Sequence, residues 1–280
     1  IRQLMIAVRQ EVNKNPALSS KNTTLAIGVS FDNWDLICEK DKLSRPKGMQ
    51  LHYPEEKNPN VSKVFSDSKE NFKNSDGDIW LHVKSDDANA CEVLQEYIKK
   101  FLESDIEKIV KQVTASQSKT GRNGKVLGCR FSENLNNPSD PISLAKHTLI
   151  GTEDIEHFGG SYVLSQRFLI NWDQINMMSE DQIEDLIGRK TDDTIIPDRD
   201  SRSHIKASRV QDESGNTTPV LRLGLPFGRA ESKSSFRVPK SVTKADEEGI
   251  YFAGFAKTAA ILEEVMASQI GAMDGFMNDR

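Results

Sequence analysis

Two similar series of helix, strand, strand and helix, one in each half of the chain, constrain the possible fold more than any other feature of this sequence. In the first series, residues 1–12 place Leu4, Met5, Val8 and Val12 at helical spacing, and Thr23 to Ser30 form a compact β-like run. After a polar stretch from Lys47 to Asp76 that reads as loop, Asp78 to Lys84 reads as a strand. A helix over about Ala88 to Leu102 then sets Leu94, Tyr97, Ile98, Phe101 and Leu102 on one face, and Ile106 to Ala115 alternates like a strand. A long irregular region separates the two series. The second opens with a strand over Gly160 to Ile170, then a helix that Ser179 caps with Gln182 as its capping-box partner and that Gly188 ends. Ile183, Leu186 and Ile187 are its inward positions. Strands over Pro219 to Phe227 and Gly249 to Ala256 follow, then a helix over Ala259 to Ile270 that buries Ile261, Leu262, Val265 and Met266. Two split βαββαβ units explain this order, with the outermost strands beyond the ends of the sequence. The expected fold is α+β: two tandem ferredoxin-like halves with antiparallel sheets, over residues 1–120 and 121–280, joined by the polar segment Ser116 to Asn123.

At 280 residues the chain has room for one large core or two moderate ones. Its net charge of −5 is scattered, which argues against a nucleic-acid partner, and the richest basic stretch, Lys233 to Lys244, reads as an exposed serine-rich loop. No apolar run approaches the roughly 20 residues of a membrane helix, so no membrane association is expected. No secretory signal pattern follows Ile1. Cys38, Cys91 and Cys129 lie far apart and form no CxxC pair, so plain thiols in a reducing, cytoplasmic compartment are expected.

No two of the five histidines stand at a chelating spacing. His82 lies inside an apolar strand and reads as a core residue, while His52 and His147 read as loop or surface residues. His157, before Gly159-Gly160, is ambiguous. His204 follows the polar segment Pro197 to Ser203 and precedes Lys206 and Arg209. Residue chemistry leaves it either a ligand or catalyst, or a solvated loop imidazole.

Five blocks then decide between these readings: GGSYVLSQRF (159–168), MSEDQIEDLIGR (178–189), SRSHI (201–205), LRLGLPFG (221–228) and EGIYFAGFAKT (248–258). Their order and intervals resemble the dye-decolourising, or DyP-type, haem peroxidases, and FDNWDLI and DIWLHVK in the first half are compatible. The resemblance implies a haem b in the C-terminal half, with His204 as the axial iron ligand. It implies that Asp279 accepts the other ring N–H of that histidine, and that Arg222 is the distal arginine, a permanent cation over the haem. Arg189 is implied as a partner of a haem propionate, with a helix C-terminal cation as its plainer reading. The implied activity is oxidation of a small dye-like or phenolic organic reductant by hydrogen peroxide, in a homo-oligomer.

The sequence departs from the family at one point. Most members carry a GxxDG motif, but Phe131 stands where its aspartate would be, in Gly128-Cys-Arg-Phe-Ser132. Glu133 is the candidate replacement acid, with an ordinary loop carboxylate as the alternative. Asn134 and Asn137 are either hydrogen-bond donors at the distal face or turn formers. The later Gly151-Thr-Glu-Asp154 is only superficially similar and is not assigned the role. Trp172 is either a long-range electron carrier or a packing residue. The lost aspartate also leaves open a haem storage or transfer protein with little peroxidase turnover, or a haem-free assembly component.

Overall fold

The structure, a computed structural model, describes residues 2–31, 33–38, 42–49, 78–103, 125–126, 131–132, 135, 137–197, 203–209, 217, 219–227 and 249–269. Two compact units emerge, divided on the N-terminal side between Pro46 and Lys47. The loop residues 50–76, the expected strand at 106–115, the linker at 116–123, and the residues Cys129, Glu133, Asn134 and Asp279 lie outside the described residues.

The first unit contains α1 (Arg2–Lys14), α2 (Pro16–Ser19), β1 (Thr24–Val29), α3 (Trp34–Cys38), β2 (Ile79–Lys84) and α4 (Ala88–Leu102). Asp87 starts α4 by accepting the Asn89 N–H at 2.9 Å. The helix then buries Ala90, Leu94, Ile98 and Leu102, one at every fourth position, against Leu4 and Val8 of α1 and Leu18 of α2. Beneath them β1 and β2 pair antiparallel from Thr24↔Lys84 to Val29↔Ile79, and Leu25, Ile27 and Val83 pack on the same core. Met5 and Phe101, expected on the apolar faces, sit at the rims and remain exposed.

The second unit contains β3 (Lys125–Val126), β4 (Phe131–Ser132), α5 (Pro141–Thr148), a 3₁₀ turn (Thr152–His157), β5 (Tyr162–Leu169), α6 (Trp172–Met177), α7 (Glu180–Ile187), α8 (His204–Ala207), β6 (Leu221–Phe227), β7 (Gly249–Ala256) and α9 (Ala259–Gln269). The three long strands form an antiparallel sheet in the order β5-β7-β6. Setting the first strand beside the third is the arrangement of a split βαββαβ unit, and the fold is α+β and ferredoxin-like. The region expected to be irregular between the two series contains α5, which Asp140 caps by accepting the Ser143 N–H at 2.8 Å, with Pro141 at the first helical position. His147 therefore lies on a helix, half-buried, rather than in a loop. His82 is half-buried in β2 beside Trp80, their ring centroids 5.6 Å apart.

Strand alternation gives the sheet two different faces. Leu164, Gly254 and Arg222 form one cross-strand row, and Val163, Phe255 and Leu221 form the adjacent row on the opposite face. Helix α9 covers the Gly254 face, where a Cβ on that glycine would stand 3.5 Å from Leu262. Leu164, Val220, Ala256, Leu262 and Val265 form the core there. Helix α5 lies on the other face, where Leu144 and Thr148 join Leu221 and Phe255 around an apolar cavity of about 280 Å³. No described helix is long and apolar enough to cross a membrane.

Candidate functional site

Only four residues long, α8 is held by its neighbours rather than by helical propensity. Ala207 N–H donates to Ser203 O at 2.8 Å and Ser208 N–H to His204 O at 2.9 Å. Ile205 and Ser203 are buried, and the segment packs against both α7 and α9. His204, between these two anchors, is exposed. It is therefore a helical residue with buried neighbours on either side, not part of a solvated polar loop. Enough protein crowds the ring that desolvation holds its pKa below the ordinary histidine value, and the Arg222 charge pushes the same way. The ring is thus crowded by protein yet reachable at its surface. At neutral pH it keeps a free lone pair.

Arg222 reaches the same short helix from β6. Its Nη2 donates to Ser208 O at 2.8 Å, on the residue that caps α8, and its Nη1 donates to Val220 O at 3.4 Å. Burial first, then the charge of Arg209, lowers the pKa of this guanidinium. An arginine nonetheless stays charged at every working pH. The backbone of Arg222 is held from outside the sheet by Asn137, whose Oδ1 accepts the Arg222 N–H at 2.9 Å while Nδ2 donates to Arg222 O at 2.7 Å. Asn137 thus does more than form a turn: it fastens the strand at the residue bearing the cation.

Arg189 follows Gly188, which ends α7 in the left-handed region at φ 87°. Its Nη1 donates to Asp193 O at 2.8 Å, and its backbone pairs with Ile195 in the tight loop after the helix. The buried Glu184 carboxylate fastens that loop to α7, accepting Lys190 Nζ at 2.6 Å and Thr191 N–H at 2.9 Å. The Lys190 bond is the main reason the Glu184 pKa falls below its ordinary value. Arg189 is thereby buried at the C-terminal end of a helix packed on the His204 segment.

Phe131 is buried, 2% exposed, in β4. An apolar side chain so placed moves no proton. Asp154 is also buried, but it accepts Lys47 N–H at 2.8 Å and faces His157 Nδ1 at 3.2 Å. The Lys47 bond is the largest cause of its lowered pKa. These bonds fasten the Lys47 turn to the 3₁₀ segment, which is a structural duty. They also settle His157 as a partner of that carboxylate.

Among the described residues no three His, Cys, Asp or Glu side chains converge on one point. A lone accessible imidazole suits a metal that brings its own equatorial donors, as a porphyrin iron does, better than a bare ion needing three or four protein ligands. The neighbouring Ser203 Oγ is buried without a hydrogen-bond partner among the described residues. Ser203, Ser208 and the clamping role of Asn137 were not singled out from sequence. Their partners are either backbone atoms of a very short helix or, for Asn137, a residue 85 positions away.

Comparison with known proteins bears on the family and the fold. Residues 129–279 match the family profile described as Dyp-type peroxidase, C-terminal. The chain is similar to the dye-decolorizing peroxidase of Mycobacterium tuberculosis, 24% identical over 253 residues, covering 88% of this chain and 65% of that protein. It is also similar to the dye-decolorizing peroxidase of Rhodococcus erythropolis, 24% identical over 245 residues, covering 86% and 62%. The chain thus spans less than two thirds of the length of these curated relatives. Among solved structures, a DypB variant of Rhodococcus jostii in complex with heme superposes with a TM-score of 0.70 at 25% identity, covering 97% of this chain and 76% of that one.

Proposed function

The chain belongs to the Dyp-type peroxidase family, and from that membership we propose that it is a haem b peroxidase that uses hydrogen peroxide to oxidise a small dye-like or phenolic reductant. The observation that carries the proposal is the accessible His204 imidazole on a helix whose capping carbonyl is held by the Arg222 guanidinium. The proposal includes the division into halves at residues 120 and 121, with the haem in the second. It also includes a cytoplasmic homo-oligomer, and the described thiols Cys38 and Cys91 suit a reducing compartment.

When bound, haem supplies the redox-active iron through which two electrons pass from the reductant to peroxide. His204 would hold the iron through its ring lone pair, on a helix anchored by the buried Ser203 and Ile205 on either side. Asp279 would accept the other ring N–H and raise ligand basicity, and Arg189 would pair with a propionate. Arg222 places a fixed positive charge near the reacting oxygens and stabilises the negative charge that develops on the departing one as the O–O bond breaks. With Phe131 unable to take the proton that must move from one peroxide oxygen to the other, Glu133 carries it. The balance is one peroxide, two protons and two electrons to two waters, with two reductant molecules each oxidised by one electron.

Hemin titration of the purified protein, followed by mixing with peroxide in a stopped-flow spectrophotometer, tests this reading. A Soret band, loss of haem retention in His204→Ala, and peroxide-driven spectral change are expected. Haem binding with no response to peroxide would make the protein a haem carrier instead.

A further inference from the structure

Strand β6 pairs with β7 on one side, and its other side is an edge of the described sheet. Arg222 is the second residue of that edge strand, opposite Gly254, with its own N–H and C=O both turned outward to Asn137. Strand ends fray, and a residue so placed loses its position first. The Asn137 carboxamide offers one acceptor and one donor to one peptide unit, as a neighbouring strand would. Two bonds at 2.9 and 2.7 Å fix both the position and the twist of the backbone beneath the guanidinium. From that fixed backbone the side chain reaches Ser208 O at 2.8 Å, on the helix that begins with His204. A displacement of residue 222 is therefore passed directly to the cation and to the end of that helix.

We infer that Asn137 is a positioning residue for Arg222, pairing with the open side of β6 in the described sheet as a neighbouring strand would, so that the guanidinium stands in one place relative to α8. Its catalytic consequence rests on the haem peroxidase reading above, whereas the clamp itself rests on hydrogen-bond geometry. Asparagine suits the task because aspartate would keep the acceptor for the N–H but lose the donor to the C=O, and alanine would lose both.

The clamp is tested in the haem-free full-length chain by amide hydrogen exchange. Asn137→Ala is expected to speed exchange of the Arg222 amide about five- to tenfold, the worth of one net hydrogen bond, with β7 amides unchanged. Unchanged Arg222 exchange overturns the inference. Should the alanine variant fail to fold, Asn137→Asp is read instead. It is expected to keep protection of the Arg222 N–H but to weaken the Arg222 hold on α8, seen as faster Ser208 exchange, and wild-type Ser208 exchange in it overturns the inference.

The functional consequence is tested by a double-variant cycle on ferric, hemin-loaded protein, with cyanide affinity read from the Soret shift. Asn137→Ala is expected to weaken cyanide binding about threefold or more when Arg222 is present, and not at all in an Arg222→Ala background. An equal loss in both backgrounds marks a merely structural residue and overturns positioning. If the wild-type chain takes up no hemin, the peroxidase reading fails while the exchange arm still decides the clamp.

Discussion

At the scale of single residues, a buried carboxylate holds the loop that carries Arg189. Glu184 lies on α7 with its carboxylate on Lys190 Nζ and the Thr191 N–H, and the Lys190 bond lowers its pKa. A group whose folded pKa is depressed stabilises the native state above its ordinary value, and that contribution is lost as pH falls through the folded value. The loop after α7 should accordingly open on the acid side of the ordinary glutamate range, carrying the Arg189–Asp193 bond with it. Protection of the Lys190 and Thr191 amides, with exchange corrected for its intrinsic pH dependence, should fall in acid for the wild type. Glu184→Gln should show low protection at every pH, and a wild-type profile in that variant would remove the carboxylate from the account. The same scale shows what the sequence could not convey. The Ser208 and Val220 carbonyls that hold Arg222 are backbone atoms with no side-chain signature, and the Asn137 clamp spans 85 positions.

At the scale of elements, legibility followed local chemistry. Helix α7 was readable because each end has its own signal: Ser179 and Gln182 form both bonds of a capping box, and Gly188 adopts φ 87°. The α4 stripe was readable because Leu94, Ile98 and Leu102 recur at helical spacing in a fifteen-residue helix. Helix α5 has its local signal only at its start, in the Asp140 cap and Pro141. Helix α8 carried none, because four residues contain little more than one turn and its only large apolar residue is Ile205. The termini of α7 give a direct test. Ser179→Ala should cost about 1 kcal/mol and Gly188→Ala about 1 kcal/mol or more, the latter because a Cβ is disfavoured in the left-handed region. Urea unfolding should show both losses with unchanged cooperativity. No measurable loss in Gly188→Ala would mean that the cap relaxes without strain.

At the scale of the whole molecule, the two cores are separate clusters: one centred on Leu94, Ile98 and Leu18, the other on Leu164, Val220, Leu262 and Val265. Every described residue argued to hold haem or position its cation belongs to the second unit. A ligand that binds only the native state stabilises what it touches by mass action, by about 2.7 kcal/mol at a hundredfold excess over its Kd. Hemin should therefore slow amide exchange in α8 and β6 more than in β1 and β2. Leu94→Ala, a fully buried truncation, should cost about 2–5 kcal/mol in the first unit, because it removes packed methyl groups and leaves a cavity. Its effect on hemin affinity should be small beside that of His204→Ala. Exchange in haem-loaded wild type and Leu94→Ala reads both effects together. Equal protection of the first unit's hairpin and of α8 by hemin would show that the haem-binding residues are not confined to the second unit, and the assignment of the site to that unit would fall with it.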